Sequence, residues 1–358
     1  MFQNAQLENG EYIYKMADGS KVYFTVDPNL QRVAEVLIST YPKDIEGLVL
    51  FDVKSGKILA ISGLHKGEKT LYPFKINKYP AASIFKVITL LSFLENNDVK
   101  PEDSFRFCPP LYRKKPQRWL NCQKEYFSTL YQAFGSSNNP LFGRLAVMLG
   151  FPAIMDMAKR FYFNDTLDGI PFGVINPIKD DHDLALLGSG FDHSTLNPVQ
   201  AMRLTIISST GFDVEPYIVS RVVSKDGNVT YRASVKILER VLREDVVEKF
   251  REISVSTVLD GTAKKYFQDE EGRVLTGVKV GGKTGTLRSK EFGGLTEWFV
   301  GFAPAEDPEV GVVVFSVGQP SLIKPQYLAM RILQAYFMGK FDGTPIAYRR
   351  FKKNTSGL

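Results

Sequence analysis

The sequence runs to 358 residues, 44% hydrophobic and 23% charged, a balance that excludes a largely disordered, collagenous or coiled-coil chain. Lys and Arg (45) exceed Asp and Glu (39) for a net charge of +6; spread along the chain, the excess reads as a solvated surface or as a preference for an anionic surrounding, membrane or polymer. No run approaches the roughly 18 apolar residues of a membrane-spanning helix, residues 1–10 lack the basic and apolar regions of a signal peptide, and three histidines leave little material for a His-based triad or a His-rich metal site.

In chain order, residues 21–26 alternate like a strand, and 28–41 place Leu30, Val33, Val36 and Leu37 at helical spacing. Residues 47–53 and 57–61 read as a hairpin around Lys54-Ser55-Gly56. The spacing predicts a helix over 83–95 with no wet face: Ile84, Phe85, Val87, Ile88, Leu90, Leu91, Phe93 and Leu94 surround it. From about 100 to 250 the chain reads as mostly helix and loop, with helices at 140–149, 152–161, 198–208 and 244–258. Strands return at 277–287, 296–303 and 310–317, and a helix closes at 326–337. Strands at both ends with helices between predict an α+β fold: an antiparallel sheet built from the N- and C-terminal segments and flanked by helices, with an inserted, mostly helical lobe. The expected layout is a lead-in over 1–20, one domain over 21–345 and a tail over 346–358. Within the domain, an α/β lobe takes about 21–82 and 255–340, and a helical lobe about 83–254.

Lys86 is the oddest residue. One turn inside a helix without an exposed face, its amine is desolvated, which lowers its pKa. Ser83 stands three residues earlier at the helix start, on the same face. A desolvated amine beside a hydroxyl is one way to activate a serine nucleophile, and a helix start offers free N–H groups to a developing oxyanion. The plainer alternative makes Ser83 an N-cap and Lys86 a snorkelling side chain. Ser321–Lys324 has the same spacing but runs into Pro325 and opens no buried helix, so it is set aside. Ser136-Ser137-Asn138-Asn139-Pro140 precedes an apolar helix, and by itself it is ordinary loop and cap chemistry. Gly281-Gly282-Lys283-Thr284-Gly285-Thr286 lies in a strand pattern, where glycines imply that something approaches the backbone closely. A basic side chain and two hydroxyls there suit a carboxylate ligand. A nucleotide P-loop needs a helix after its turn, and here strand follows strand.

Taken together, these three elements resemble the transpeptidase domain of the penicillin-binding proteins, within the serine β-lactam-recognising superfamily. Ser-x-x-Lys at Ser83–Lys86, Ser-x-Asn at Ser137–Asn139 and Lys-Thr-Gly at Lys283–Gly285 occur in that order. The flanks TVDPNLQ (25–31), GLVLFDVKSGKILAIS (47–62), GSGFDHSTLNPVQ (188–200), DGTAKK (260–265) and WFVGFAP (298–304) also look like the family, and the likeness spans about 22–338. The register Ser136/Asn138 fits the second motif too; Ser137/Asn139 is preferred because it places Leu145-Ala146 where members carry that pair.

The resemblance implies a peptidoglycan DD-transpeptidase, with carboxypeptidase hydrolysis as a side activity. It makes Ser83 the acylated nucleophile, Lys86 its general base, and Ser137 and Asn139 the proton shuttle and orienting pair. Lys283, Thr284, Gly285 and Thr286 bind substrate, and the N–H groups of Ser83 and Thr286 form the oxyanion hole. Strict alternation puts Thr284 and Thr286 on one strand face and Lys283 on the other. Implied partners are peptidoglycan stem peptides, β-lactams and other cell-wall synthesis or division proteins, with no nucleic acid and no cofactor. The implied location is extracytoplasmic, on a membrane tether absent from this chain. Cys108 and Cys122 flank a basic loop with Arg113, Lys114, Lys115 and Arg118. Some members carry a paired-cysteine loop there, whose closure over about 15 residues is worth up to about 3 kcal/mol; two free thiols remain the other reading.

The runners-up share the fold: a class D-like β-lactamase, a β-lactam sensor, or an idle scaffold. Ala82–Lys86 and Trp298–Gly301 look somewhat like class D enzymes, but those carry Val or similar where Asn139 stands, and a Tyr-Gly-Asn not found here. No metal is expected: Asp180, Asp181, His182, Asp183, Asp192 and His193 match no ligand spacing and read as acidic turn residues.

Overall fold

Residues 45–51 and 310–318 are buried without interruption, a pattern that suits only strands covered on both faces. In the computed structural model, which describes residues 1–109, 122, 124–167, 169–289, 291–339 and 341, they sit side by side in the middle of a six-stranded sheet. Its order is Gly281–Arg288, Leu295–Ala303, Val310–Gly318, Ile45–Asp52, Ile58–His65 and Glu68–Lys69, every pair antiparallel. The sheet is thus built from the two ends of the chain, and the α+β architecture is as the sequence predicts.

Helices Pro28–Thr40 and Pro325–Met338 cover one face through Val33, Leu37, Leu328 and Ile332. On the other face lies the helical insertion, whose core helix is Lys86–Asn96; every residue from Lys86 to Leu94 is buried. The first helix turns its face further than the apolar spacing implies. Gln31 is buried, its amide nitrogen donating to the Ile61 carbonyl and its amide oxygen accepting from the Ile61 N–H, each at 2.9 Å.

The predicted strand at 21–26 does not join the central sheet. Lys21–Phe24 belongs to a separate five-stranded sheet with Gln6–Glu8, Glu11–Lys15, Val219–Val223 and Val229–Arg232, because Val22, Phe24 and Val26 bury against Ile218, Val219 and Val222. The region from 100 to 250 also holds more than helix and loop. Ser104–Phe107 pairs with Tyr126–Thr129, Phe212–Val214 with Ile237–Arg240, and Asp181–Gly188 is a further helix. The strand expected from 277 begins at Gly281. A disulfide joins Cys108 and Cys122 across a Cα separation of 5.6 Å, which decides between the two cysteine readings. Arg113, Lys114, Lys115, Arg118 and the tail 346–358 lie outside the described residues.

One buried ion pair ties the insertion together. Arg203 on helix Pro198–Thr210 donates to Asp213 on the following strand and, at 2.7 Å, to the Tyr162 hydroxyl, which also donates to Asp213. Both charged side chains are 1% exposed. Removing one partner strands the other without compensation. Arg203→Met is therefore expected to lower the unfolding free energy by about 3–5 kcal/mol, and Arg203→Met/Asp213→Leu by clearly less, measured by urea denaturation. Equal losses in the two variants would show that packing, not the charge, governs the site.

Candidate active site

The nucleophile candidate sits on a strained turn. Ala82 has φ +50°, a left-handed conformation that costs a non-glycine residue about 1–3 kcal/mol and persists only where its surroundings over-determine it. Here Tyr79–Pro80 pairs with Thr195–Leu196, the Ala81 N–H donates to the Ser194 carbonyl at 3.1 Å, and the buried Trp298 indole donates to the Pro80 carbonyl at 2.9 Å. Gly190 completes the fit: a β-carbon there would stand 1.9 Å from the Ala82 carbonyl oxygen. The chain then turns through Ala82–Phe85 into helix Lys86–Asn96, leaving Ser83 half-buried at its start.

Lys86 is completely buried. Its Nζ lies 2.8 Å from Ser83 Oγ, and donates to Asn139 Oδ1 at 2.6 Å and to the Ser189 carbonyl. No carboxylate appears among these partners. Burial, aided by the charge of nearby Lys283, holds the amine well below the usual lysine range.

Asn138 and Asn139 divide the work of the second motif. Asn138 caps helix Asn139–Leu149, its Oδ1 accepting from the Leu141 N–H at 3.0 Å, as expected for an Asn one residue before the first turn. Asn139 is the one that reaches Lys86. Ser137 is half-buried on the connecting turn, at φ +57°, with its N–H donating to the Phe134 carbonyl at 3.1 Å.

The third motif occupies Gly281–Arg288, an outer strand of the central sheet. It abuts the nucleophile turn: a β-carbon at Gly285 would stand 3.3 Å from Ala82 Cβ and 3.2 Å from Ile84 Cγ1. Lys283, completely buried on the same strand parity, donates to the Thr284 carbonyl at 3.1 Å. Burial lowers its pKa to about 7. Thr284 turns its hydroxyl to that of Thr262, 2.6 Å away, and Thr286 is exposed.

Sequence reasoning missed several participants. Phe134 and Phe142 flank the second motif with ring centroids 6.1 Å apart; Lys283 lies 5.4 Å from the centroid of the first ring and Lys86 5.8 Å from that of the second. Ser189 contributes a backbone carbonyl, for which no side-chain signal exists. The second Ser-x-x-Lys copy separates as expected: Ser321 Oγ donates to the Ile323 carbonyl and Lys324 pairs with Glu297. At the acidic turn, Asp180 caps helix Asp181–Gly188 and His193 lies 3.3 Å from Asp183. Among the described residues no group of three or more His, Cys, Asp or Glu is placed to hold a metal.

The family model of the penicillin binding protein transpeptidase domain matches residues 47–332. Stage V sporulation protein D of Bacillus subtilis is 26% identical over 335 residues, 85% of this chain and 50% of the relative. Peptidoglycan D,D-transpeptidase PbpA of Mycolicibacterium smegmatis is 26% identical over 250 residues, 66% and 49% respectively. The chain thus spans about half the length of these curated relatives. Among solved structures, an imipenem acyl-enzyme complex of penicillin-binding protein A from M. tuberculosis shares the fold with a TM-score of 0.72 at 21% identity, over 88% of this chain and 80% of that one. Penicillin-binding protein 2B of Streptococcus pneumoniae does so with a TM-score of 0.72 at 15% identity, over 90% and 61%. A match that runs through most of the sequence and takes in all three motif segments places this chain in the penicillin-binding protein transpeptidase domain family.

Proposed function

We propose that this chain is the catalytic module of a peptidoglycan D,D-transpeptidase working through a serine acyl-enzyme. One observation carries the reading: the buried Lys86 amine lies 2.8 Å from Ser83 Oγ, and its hydrogen-bond partners among the described residues include no acid to keep it charged. A neutral amine has two N–H donors and one lone pair. Two of the three partners, Asn139 Oδ1 and the Ser189 carbonyl, are acceptors that use the donors. The third is a hydroxyl, so the lone pair is left for the Ser83 proton.

In the proposed reaction Ser83 Oγ attacks the carbonyl carbon of the penultimate D-alanine while its proton passes to Lys86. The N–H groups of Ser83 and Thr286 hold the oxyanion, a contribution of several kcal/mol in comparable sites. Lys283, Thr284 and Thr286 hold the terminal carboxylate, with Gly285 admitting the peptide to the strand. The C–N bond breaks, and the proton returns through Ser137 to the departing D-alanine amine. An amine of a neighbouring stem then attacks the ester and gives its proton to Lys86; the C–Oγ bond breaks as Lys86 passes that proton to Ser83 Oγ, which restores both residues, and water in place of the amine gives carboxypeptidase hydrolysis. β-Lactams enter as donor mimics and stop at the ester. The imipenem complex of the M. tuberculosis protein supports this assignment by analogy of fold. The disulfide supports an extracytoplasmic location, since such bonds persist in oxidising compartments. Other cell-wall synthesis proteins are the proposed macromolecular partners.

Benzylpenicillin is expected to add one penicilloyl group to the intact protein, lasting many minutes, and Ser83→Ala is expected to take up none, both read by mass spectrometry. An adduct on the alanine variant would remove Ser83 from the nucleophile's role. Rapid turnover of a chromogenic cephalosporin would favour a β-lactamase.

A pH profile tests the two lysines separately. Lys86 must be neutral to accept a proton, so acylation rises with pH through its depressed pKa. Lys283 must be charged to hold a carboxylate, so acylation falls as pH passes about 7. The second-order acylation rate constant should therefore be bell-shaped. Lys283→Arg should move the alkaline limb up by at least about one pH unit, because a guanidinium stays charged. An unmoved limb would mean that another group titrates there.

A further inference from the structure

The turn at 260–262 lies outside the three motifs yet is bonded to the helix that leads into the second and to the strand that carries the third. The Asp260 carboxylate accepts from the Tyr131 hydroxyl at 2.9 Å, and the Thr262 N–H donates to the Gly135 carbonyl at 3.0 Å. Both partners belong to helix Leu130–Gly135, which leads directly into Ser137. The Thr262 hydroxyl, in turn, stands 2.6 Å from that of Thr284. Three consecutive residues thus span from the second motif to the third, and Thr262 alone makes a contact on each side.

Hydroxyl bookkeeping makes the second contact directional. Each threonine has one O–H to give. If Thr284 donates to a bound carboxylate, it has no proton left for Thr262, and the short contact then requires Thr262 to donate to Thr284. The chain Thr262 O–H to Thr284 O–H to carboxylate runs one way, and each link polarises the next. Thr262 is itself exposed and Thr284 is 6% exposed, so the outer hydroxyl orients an inner one that has little room to choose.

We propose that Thr262 is a positioning residue for carboxylate recognition: it fixes the direction of the Thr284 hydroxyl and sets the spacing between the second and third motifs. The inference rests on the acyl-transfer reading above, since it presumes that Thr284 faces a substrate carboxylate.

The test uses acylation of the full chain by benzylpenicillin and by its methyl ester, which lacks the anionic carboxylate. Thr262→Val keeps the shape and removes the donor. It is expected to lower the second-order rate constant for the acid by about five- to tenfold and to leave that for the ester nearly unchanged. Thr262→Ser is expected to restore the acid's rate. Because the action passes through Thr284, Thr262→Val/Thr284→Val should acylate no more slowly than Thr284→Val alone. An equal fall for acid and ester would reduce Thr262 to a structural residue, and additive losses in the double variant would make it a direct ligand contact; either result overturns the proposal. Failure of the unaltered protein to acylate at all would instead overturn the acyl-transfer reading, so the two failures are distinct.

Discussion

The structure is organised around a buried amine that has no counter-ion among the described residues. A lysine ammonium in the apolar middle of a protein loses its hydration and has little to replace it. For Lys86 burial holds the pKa well below the usual lysine range, and the amine is met by partners from three separated stretches of chain. Ser83 is supplied by its own helix, but Asn139 and Ser189 have to be delivered. The helical insertion delivers them: Asn138 caps one helix so that Asn139 faces inward, and the turn after Asp181–Gly188 presents the Ser189 carbonyl. The insertion is therefore needed for the chemistry of one side chain, besides burying apolar surface.

Two strained residues stand at the same place. Ala82 and Ser137 both have positive φ, one beside the Ser-x-x-Lys serine and the other at the Ser-x-Asn serine. Such conformations are kept only by surroundings more stable than the strain they hold. For Ala82 those surroundings include the central sheet itself: the Trp298 indole reaches down to the Pro80 carbonyl, and Trp298 is the cross-strand partner of Gly285. One residue of the sheet core thus joins the nucleophile turn to the Lys-Thr-Gly strand, and a loss of packing around Trp298 would reach both.

Much of this was legible in the sequence, for identifiable reasons. A helix apolar all round made Lys86 conspicuous before any motif was considered, and the hairpin at 47–61 and the strands at 296–303 and 310–317 could be read from their residues. What was hidden depends on partners distant in the chain. Gln31 is polar, yet it is buried because its amide replaces a missing backbone partner at Ile61. The strands at 6–8, 229–232 and 237–240 are largely exposed, so no alternation betrays them and only their pairing defines them. Ser189 acts through a carbonyl that every residue has. Thr262 was visible only as flanking text, because its meaning lies in a contact with Thr284 that no local pattern encodes.

The two lysines divide an electrostatic task that neither could perform alone. Both are completely buried, yet Lys283 retains a pKa of about 7 while Lys86 lies well below the usual range, in part because Lys283 is near. On the proposed reading, an arriving carboxylate favours the charged form of Lys283. That added positive charge further disfavours a proton on Lys86, because like charges in a shared site oppose each other's protonation. The coupling is reciprocal: whatever keeps Lys86 neutral also makes the site more receptive to an anion. A ligand without a carboxylate leaves Lys283 titrating near neutrality and gives Lys86 no such push. Recognition of the substrate's charge and readiness of the base are then one equilibrium, and selectivity for an anionic terminus arises in the acylation step as well as in binding.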